Sequence, residues 1–189
     1  MTAGLPGYRI EGHAIVSADH RIADASGDIP PVLRNEADWE RFQRALDNAA
    51  VTVLGRVSHE KNPNTKRRNR LILSRSLSGI ERRSDGWWWN PAGAPLDAAF
   101  HAAAPDGGTV AVPGGQGIFD YFLTAGYDAF HLARAGRAHL PGGVTVFLDV
   151  ERGQSPEAVL AAAGLSPGPV ETLDPAADVT LVTWARRPP

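Results

Sequence analysis

Three short runs, AVTVLG (50–55), RLILS (70–74) and TVAVP (109–113), are almost continuously apolar. A strand that never alternates offers no face to water, so each run predicts a strand covered on both sides. Such strands belong to parallel sheets, whose crossovers lay helices over both faces. The intervening sequence supplies those helices. NEADWERFQRAL (35–46) places Trp39, Phe42 and Leu46 at helical spacing behind an Asn35 cap. PLDAAFHAAA (95–104), IFDYFLTAG (118–126) and SPEAVLAAAGL (155–165) read the same way, the last with Ser155 as cap and Pro156 in its first turn. YRIEGHAIVS (8–17), AFHLARA (129–135), VTVFLDV (144–150) and DVTLVTWARR (178–187) complete the expected strands, and Trp87, Trp88 and Trp89 form a further bulky one. The prediction is an α/β fold: a single-domain, mostly parallel twisted sheet flanked by helices, with the last two strands antiparallel at an edge. The Pro/Gly-rich pieces at 26–31, 91–95 and 166–169 read as loops.

Composition narrows the chemistry. At 189 residues one domain with a substantial core is expected. A net charge of −2 gives no bias toward nucleic acid or an anionic membrane. No apolar stretch approaches the roughly 20 residues of a membrane span. The start, MTAGLPGYRIEG, lacks the basic-then-apolar pattern of a secretory signal, and the lack of cysteine fits a reducing compartment, so the expected address is the cytoplasm. Cysteine is absent, which removes disulfides, thiolate nucleophiles and cysteine-ligated zinc. The six histidines are scattered without HExxH spacing, so no metal is expected, and no serine sits in GxSxG.

The candidate chemistry gathers where strands end. LGRVSHE (54–60) stops a strand at Gly55 and sets Arg56 and Ser58 at a helix start, where free N–H groups suit a phosphate; a plain turn capped by Ser58 is the alternative. PGGQGIFDYF (113–122) breaks an apolar run with Gly114, Gly115 and Gly117. Those glycines would let backbone approach a ligand closely or simply make a turn. The GGxG spacing is neither the Rossmann fingerprint nor a Walker loop. LSRS (73–76) adds two hydroxyls and Arg75, suited to a nucleotide 2′-phosphate or to a solvated strand end. The basic run from Lys66 to Arg70 would raise local anion affinity. His59 borders the first turn, with a helix-surface role expected.

In order and spacing these segments resemble the dihydrofolate reductase-like superfamily, over most of the chain. SADHRIAD (17–24) looks like the first strand's end and mobile loop, and ADWERF (37–42) like the helix bearing an acid four residues before an aromatic. VLGRVSHE resembles the GR-x-T-x-E turn with Ser58 for threonine, LILSR the next strand with its phosphate-binding serines, PGGQGIFDYFL the GG-x-x-x-[FY] turn, and TWARR the final strand. The resemblance implies one such domain over 1–189 and NADPH held by Ile22, Gly55, Arg56, Val57, Ser58, Ser74, Arg75, Gly114, Gly115, Gln116, Gly117 and Ile118. It also implies a Gly114–Gly115 backbone passing close to the nicotinamide, often through a cis bond.

For the substrate it implies Asp38 as the acid that accepts paired hydrogen bonds from a pterin, with Phe42, Ile15 and Ala133 lining the pocket. Glu36 is the competing acid. Two departures bear on the substrate. Ile29-Pro30-Pro31-Val32 stands where the family usually has proline then tryptophan, and Ala133 stands near a usual threonine. The expected activity is reduction of a dihydropterin, dihydromethanopterin or dihydrofolate, at its ring C=N bond. The alternatives are the riboflavin-pathway aminouracil ribosyl phosphate reductase, with Arg34 or Arg134 gripping a second phosphate, and a non-catalytic nucleotide-binding protein. The closing strands leave an apolar edge suited to a homodimer.

Overall fold

A computed structural model describes residues 5–187. In chain order the elements are β1 (Tyr8–Ser17), β2 (Arg21–Ala23), a 3-10 turn (Pro31–Leu33), α1 (Glu36–Asn48), β3 (Val51–Gly55), α2 (Arg56–Lys61), β4 (Arg70–Leu73), β5 (Ile80–Arg83) and β6 (Gly86–Trp89). They continue as α3 (Leu96–Ala103), β7 (Gly108–Val112), α4 (Gln116–Ala125), β8 (Ala129–Ala135), β9 (Val144–Thr145), α5 (Leu148–Glu151), α6 (Pro156–Ala162), β10 (Leu165–Asp174) and β11 (Val179–Arg186). Among the described residues nine strands form one sheet in the order β10-β11-β8-β1-β7-β3-β4-β6-β5. The centre, β8-β1-β7-β3-β4-β6, is parallel throughout. Both ends turn antiparallel, through β11 and β10 at one edge and β5 at the other.

The three apolar runs became β3, β4 and β7, near the middle of that sheet, as a strand buried on both faces must. Strand β1 divides the molecule. Its even residues Ile10 and Val16 enter a large apolar core with Phe100, Phe119, Phe122, Phe130 and Phe147 beneath α3 and α4. Gly12 faces the same side, and a Cβ there would collide with the Phe130 ring; glycine makes room for the aromatic packing. The odd residues Glu11, His13 and Ile15 face the other layer, where Ile15 packs on the small cluster of Leu33, Ala135, Leu140 and Val179.

Three expectations fail, each for a local reason. VTVFLDV is a strand only over Val144–Thr145, which pairs with β2. Beyond it, side chains of α4 take the backbone groups a ladder would use. Gln116 Nε2 donates to the Thr145 carbonyl at 3.2 Å, and the Leu148 N–H donates to the Asp120 carboxylate at 3.2 Å, which starts α5. The segment 166–169 is not a loop but part of β10, bent by register shifts between Pro167 and Val170. An edge strand tolerates proline on its solvent side. The same prolines replace the bare apolar edge expected for dimer pairing, although Val170 is exposed there. The expected antiparallel C-terminal edge itself is present, but β11 makes it with β10 and β8 and not with 144–150.

Candidate functional site

The parallel strands β1, β3, β4 and β7 release their chains at one edge. A Cβ on Gly55 would lie 3.5 Å from Ile118, so the turn after β3 and the turn after β7 touch. Gly114 has φ +114°, and a side chain there would meet the Phe119 ring at 2.9 Å, so glycine is required twice over. Gly115 caps α4 without any side-chain hydrogen bond. Cβ atoms at Gly115 and Gly117 would meet nothing within 4 Å, which leaves open space beside an uncapped helix start. No peptide bond among the described residues is cis, against the expectation at Gly114–Gly115.

The polar residues at this edge divide into engaged and free. Arg56 pairs with Glu60 one turn on, at 2.9 Å, and both are half exposed. Ser74 is buried and bonds Ser76 Oγ at 2.7 Å. Arg75 is exposed and makes no hydrogen bond or ion pair among the described residues. Val57 is exposed, Ser58 and Ile22 half-buried. The Gln116 side chain turns away to Thr145 and Glu151, leaving its backbone to the turn. The basic run is not a free patch. Lys66 and Arg68 both grip Asp47, while buried Arg70 donates to the Asn62 carbonyl at 2.7 Å and lies 3.1 Å from His59 Nδ1. His59 is held on its other nitrogen by Asp85 at 2.9 Å, so it braces α2 against β4 and the turn between β5 and β6.

Helix α1 returns the chain from β1 to β3, so its first turn stands at this same edge. The Asn35 side chain accepts from the Asp38 N–H, and its Nδ2 donates to Asp174 at the end of β10. That cap fixes the helix start. Asp38 is 7% exposed and Glu36 lies in solvent, which separates the two acids. Burial raises the Asp38 carboxyl above its ordinary range, and the ion pair with Arg41 at 3.3 Å opposes this only in part. Phe42 projects one turn on and meets His13 edge-on, centroids 6.2 Å apart. Trp39, expected to pack inward with Phe42 and Leu46, is 58% exposed and only tilts against Phe42. Beneath, strand register sets Ile15 beside Ala133 and Ala133 beside Leu181. Ala133 is fully buried.

Two residues down the same strands, the register aligns His13, His131 and Thr183. The imidazoles stack at 4.7 Å within 9° of parallel. His131 Nε2 lies 3.3 Å from Glu11 Oε2, and its Nδ1 is 3.1 Å from the Thr183 hydroxyl. Arg9 holds the other Glu11 oxygen at 2.6 Å. The His131 hydrogen bond, aided by Arg9, keeps the Glu11 carboxyl down at about 2 despite its burial. Burial first, then the facing His131 and Arg41, push the His13 imidazole down to about 3, so it is neutral at physiological pH. The histidines are therefore not all scattered. Arg134, by contrast, lies on the opposite face, bound to Glu157 at 2.6 Å, and is not free to hold a phosphate here.

No family model matches the chain, and no curated protein matches it by sequence. Solved structures do. Dihydrofolate reductase from Enterococcus faecalis, complexed with NADP(H), superposes with a TM-score of 0.66 over 95% of this chain and 97% of that one, at 14% identity. The chain has the dihydrofolate reductase-like fold. A pyrimidine reductase-like protein from Corynebacterium diphtheriae reaches a TM-score of 0.68 at 14% identity, covering 96% of this chain and 93% of that one. A Thermotoga maritima diaminohydroxyphosphoribosylaminopyrimidine deaminase/5-amino-6-(5-phosphoribosylamino)uracil reductase matches at 0.61 and 17% identity, with 95% of this chain covering 57% of its length. Within the dihydrofolate reductase-like fold, Arg41, Glu11, His13 and His131 are the polar residues that sequence reasoning missed. Arg41 was within reach, at i+3 from Asp38 on the same helix face. The cluster was not, because it needs the pairing of two strands far apart in the chain.

Proposed function

We propose that this chain is an NADPH-dependent reductase of a dihydropterin. The observation that carries the reading is a single buried carboxylate, Asp38, held at the first turn of α1 on the edge where two glycine-bearing turns meet. An acid left in such a place is expensive unless a ligand uses it.

The residues present fit a dinucleotide. The space beside Gly115 and Gly117 and the bare start of α4 suit a pyrophosphate, and Gly55, Arg56, Val57 and Ser58 would close over it from the neighbouring turn. Ser74 and unpaired Arg75 would receive a 2′-phosphate, and Ile22 and Ile118 would flank the nicotinamide side. When bound, the reduced nicotinamide supplies the hydride. The protein supplies alignment and field. Asp38 orients the substrate by accepting its amino and ring N–H groups, while Arg41 fixes the Oδ1 atom. Its raised affinity for a proton lets Asp38 stabilise positive charge that develops on the ring during reduction. Phe42, Ile15 and Ala133 bound the ring and exclude water. Water delivers the proton to the ring nitrogen.

The pyrimidine reductase-like neighbours favour a second reading, reduction of an aminouracil ribosyl phosphate. Arg34, exposed in the loop before α1, is the remaining candidate for its phosphate. The two readings separate in one assay, in which NADPH oxidation is followed with dihydrofolate, dihydromethanopterin and the aminouracil substrate in turn. Turnover of a dihydropterin that falls in Asp38→Asn supports the proposal. Turnover of the aminouracil alone replaces it with the second reading, and NADPH binding without any turnover makes the chain a nucleotide-binding protein.

A further inference from the structure

We infer that Glu11, His13 and His131 form a site for one divalent transition-metal ion, with zinc the best match. One donor atom from each of the three lies within 4.8 Å of the others. Zinc with bonds of 2.0–2.1 Å needs tetrahedral donors about 3.3 Å apart. Glu11 Oε2 and His131 Nε2 already stand at 3.3 Å. His13 has to close in and turn out of its parallel stack with His131, so that the two in-plane lone pairs converge on the ion. Two imidazoles and a carboxylate are a donor set of borderline softness, suited to zinc rather than to calcium or magnesium.

The strongest independent sign is His13. It is 2% exposed, and neither ring nitrogen has a hydrogen-bond partner. A neutral imidazole always carries one lone pair and one N–H, and leaving such a group unsatisfied in the interior costs about 1–3 kcal/mol. A metal would take the lone pair. Both ring nitrogens are also shut off from solvent, so water does not satisfy them. His131 carries the second mark of a ligand, since its far nitrogen Nδ1 is tied to Thr183 and Nε2 is thereby aimed at Glu11.

The surrounding charge permits it. Two cations face the cluster, and each is already paired: Arg9 with Glu11 Oε1, which leaves Oε2 available, and Arg41 with Asp38. Three protein donors leave zinc's fourth position for water. The site stands behind Phe42, and its existence does not depend on the reductase reading.

The test uses the full chain, stripped with EDTA, dialysed against Zn²⁺ and assayed for bound metal by mass spectrometry, with Co²⁺ as a spectroscopic probe. One equivalent per chain, a melting temperature that climbs with free Zn²⁺, and intense visible bands of four- or five-coordinate Co²⁺ are expected. Glu11→Gln and His131→Asn should weaken binding by about 100-fold, near the upper end of what even outer-shell changes do at such sites. His101→Ala, on the exposed surface of α3, should leave it unchanged. His13→Asn tests the buried ligand; if it fails to fold, Glu11→Gln, a near-isosteric change, decides the matter. Metal content equal in wild type and Glu11→Gln, less than about a tenth of an equivalent in wild type, or only the faint spectrum of hydrated Co²⁺ would overturn the site.

Discussion

The two faces of the sheet are made by the same strands and could hardly differ more. On one side, alternate residues of β1, β8 and β7 feed a core of interlocking rings, with Phe130 lying 5.2–5.3 Å from the centroids of Phe119, Tyr127 and Phe147. On the other, the intervening residues present Glu11, His13 and His131 to α1, which answers with Asp38 and Arg41. The first face stabilises by burial and needs only volume and shape. The second sets five ionisable groups in a poorly solvated layer, where each must find a partner or shift its protonation. The lesson is that stability and chemistry are assigned to opposite sides of single strands, so substitutions two residues apart should share their consequences and neighbours should not.

The sharpest way to break that comparison is to hollow the aromatic side. Phe130→Ala removes a fully buried ring and should destabilise the fold by about 3–5 kcal/mol, read from the midpoint of urea unfolding. His131, its immediate neighbour in β8, faces the polar layer, and conservative changes there should cost far less stability. If the two substitutions proved equally damaging, the division of labour would be wrong.

The next largest effect belongs to the polar side. Asp38→Asn should lower dihydropterin turnover by about 10²-fold or more without destabilising the protein at neutral pH. The sign follows from burial, which holds the folded-state pKa of Asp38 above its unfolded value near 3.8. The contribution is thus fully present below that value and is lost as pH rises through the folded pKa. Asparagine cannot ionise, and its carbonyl can still accept from Arg41. Melting curves across pH should therefore diverge in the variant's favour as pH increases. A variant that unfolds more readily at pH 7 would mark Asp38 as a structural ion-pair partner instead.

How much of this was legible beforehand differs between the same two faces. The parallel centre was readable, because unbroken runs such as AVTVLG carry their burial in their own composition. The Asn35 cap and Gly114 were readable because backbone needs select those residue types. The edge strand β10 was not, since SPGP carries a loop's composition and only β11 beside it makes a strand of it. VTVFLDV misled for the opposite reason: Val146 and Phe147 are buried, as strand residues would be, but Gln116 and Asp120 claim the backbone. Trp39 followed the helical period and still faces water. The histidine cluster is a property of register between β1 and β8, which no local pattern encodes.

At the glycine turn, stability and binding should move in opposite directions. Gly117 lies in the first turn of α4 with nothing near its missing Cβ, so Gly117→Leu should hold or raise the melting temperature through helix propensity. The same side chain would fill the space assigned to the dinucleotide. The dissociation constant for NADPH should rise by about tenfold or more, equivalent to about 1.4 kcal/mol, measured by fluorescence titration. Unchanged affinity would move the cofactor away from this turn.

The smallest effect is also the most specific. Arg75 is exposed and makes no contact that the fold uses, so Arg75→Ala should alter stability by no more than about 0.5 kcal/mol. If its guanidinium meets the 2′-phosphate, NADPH should bind several-fold more weakly while NADH binds as before, and the preference between them should narrow with rising salt. Equal loss for both dinucleotides would place Arg75 against the shared pyrophosphate. No loss for either would leave Ser74 and Ser76 to recognise the phosphate without it. In each case the change registers in the ratio of two affinities and not in the melting temperature, which is what a residue placed for recognition and not for packing must do.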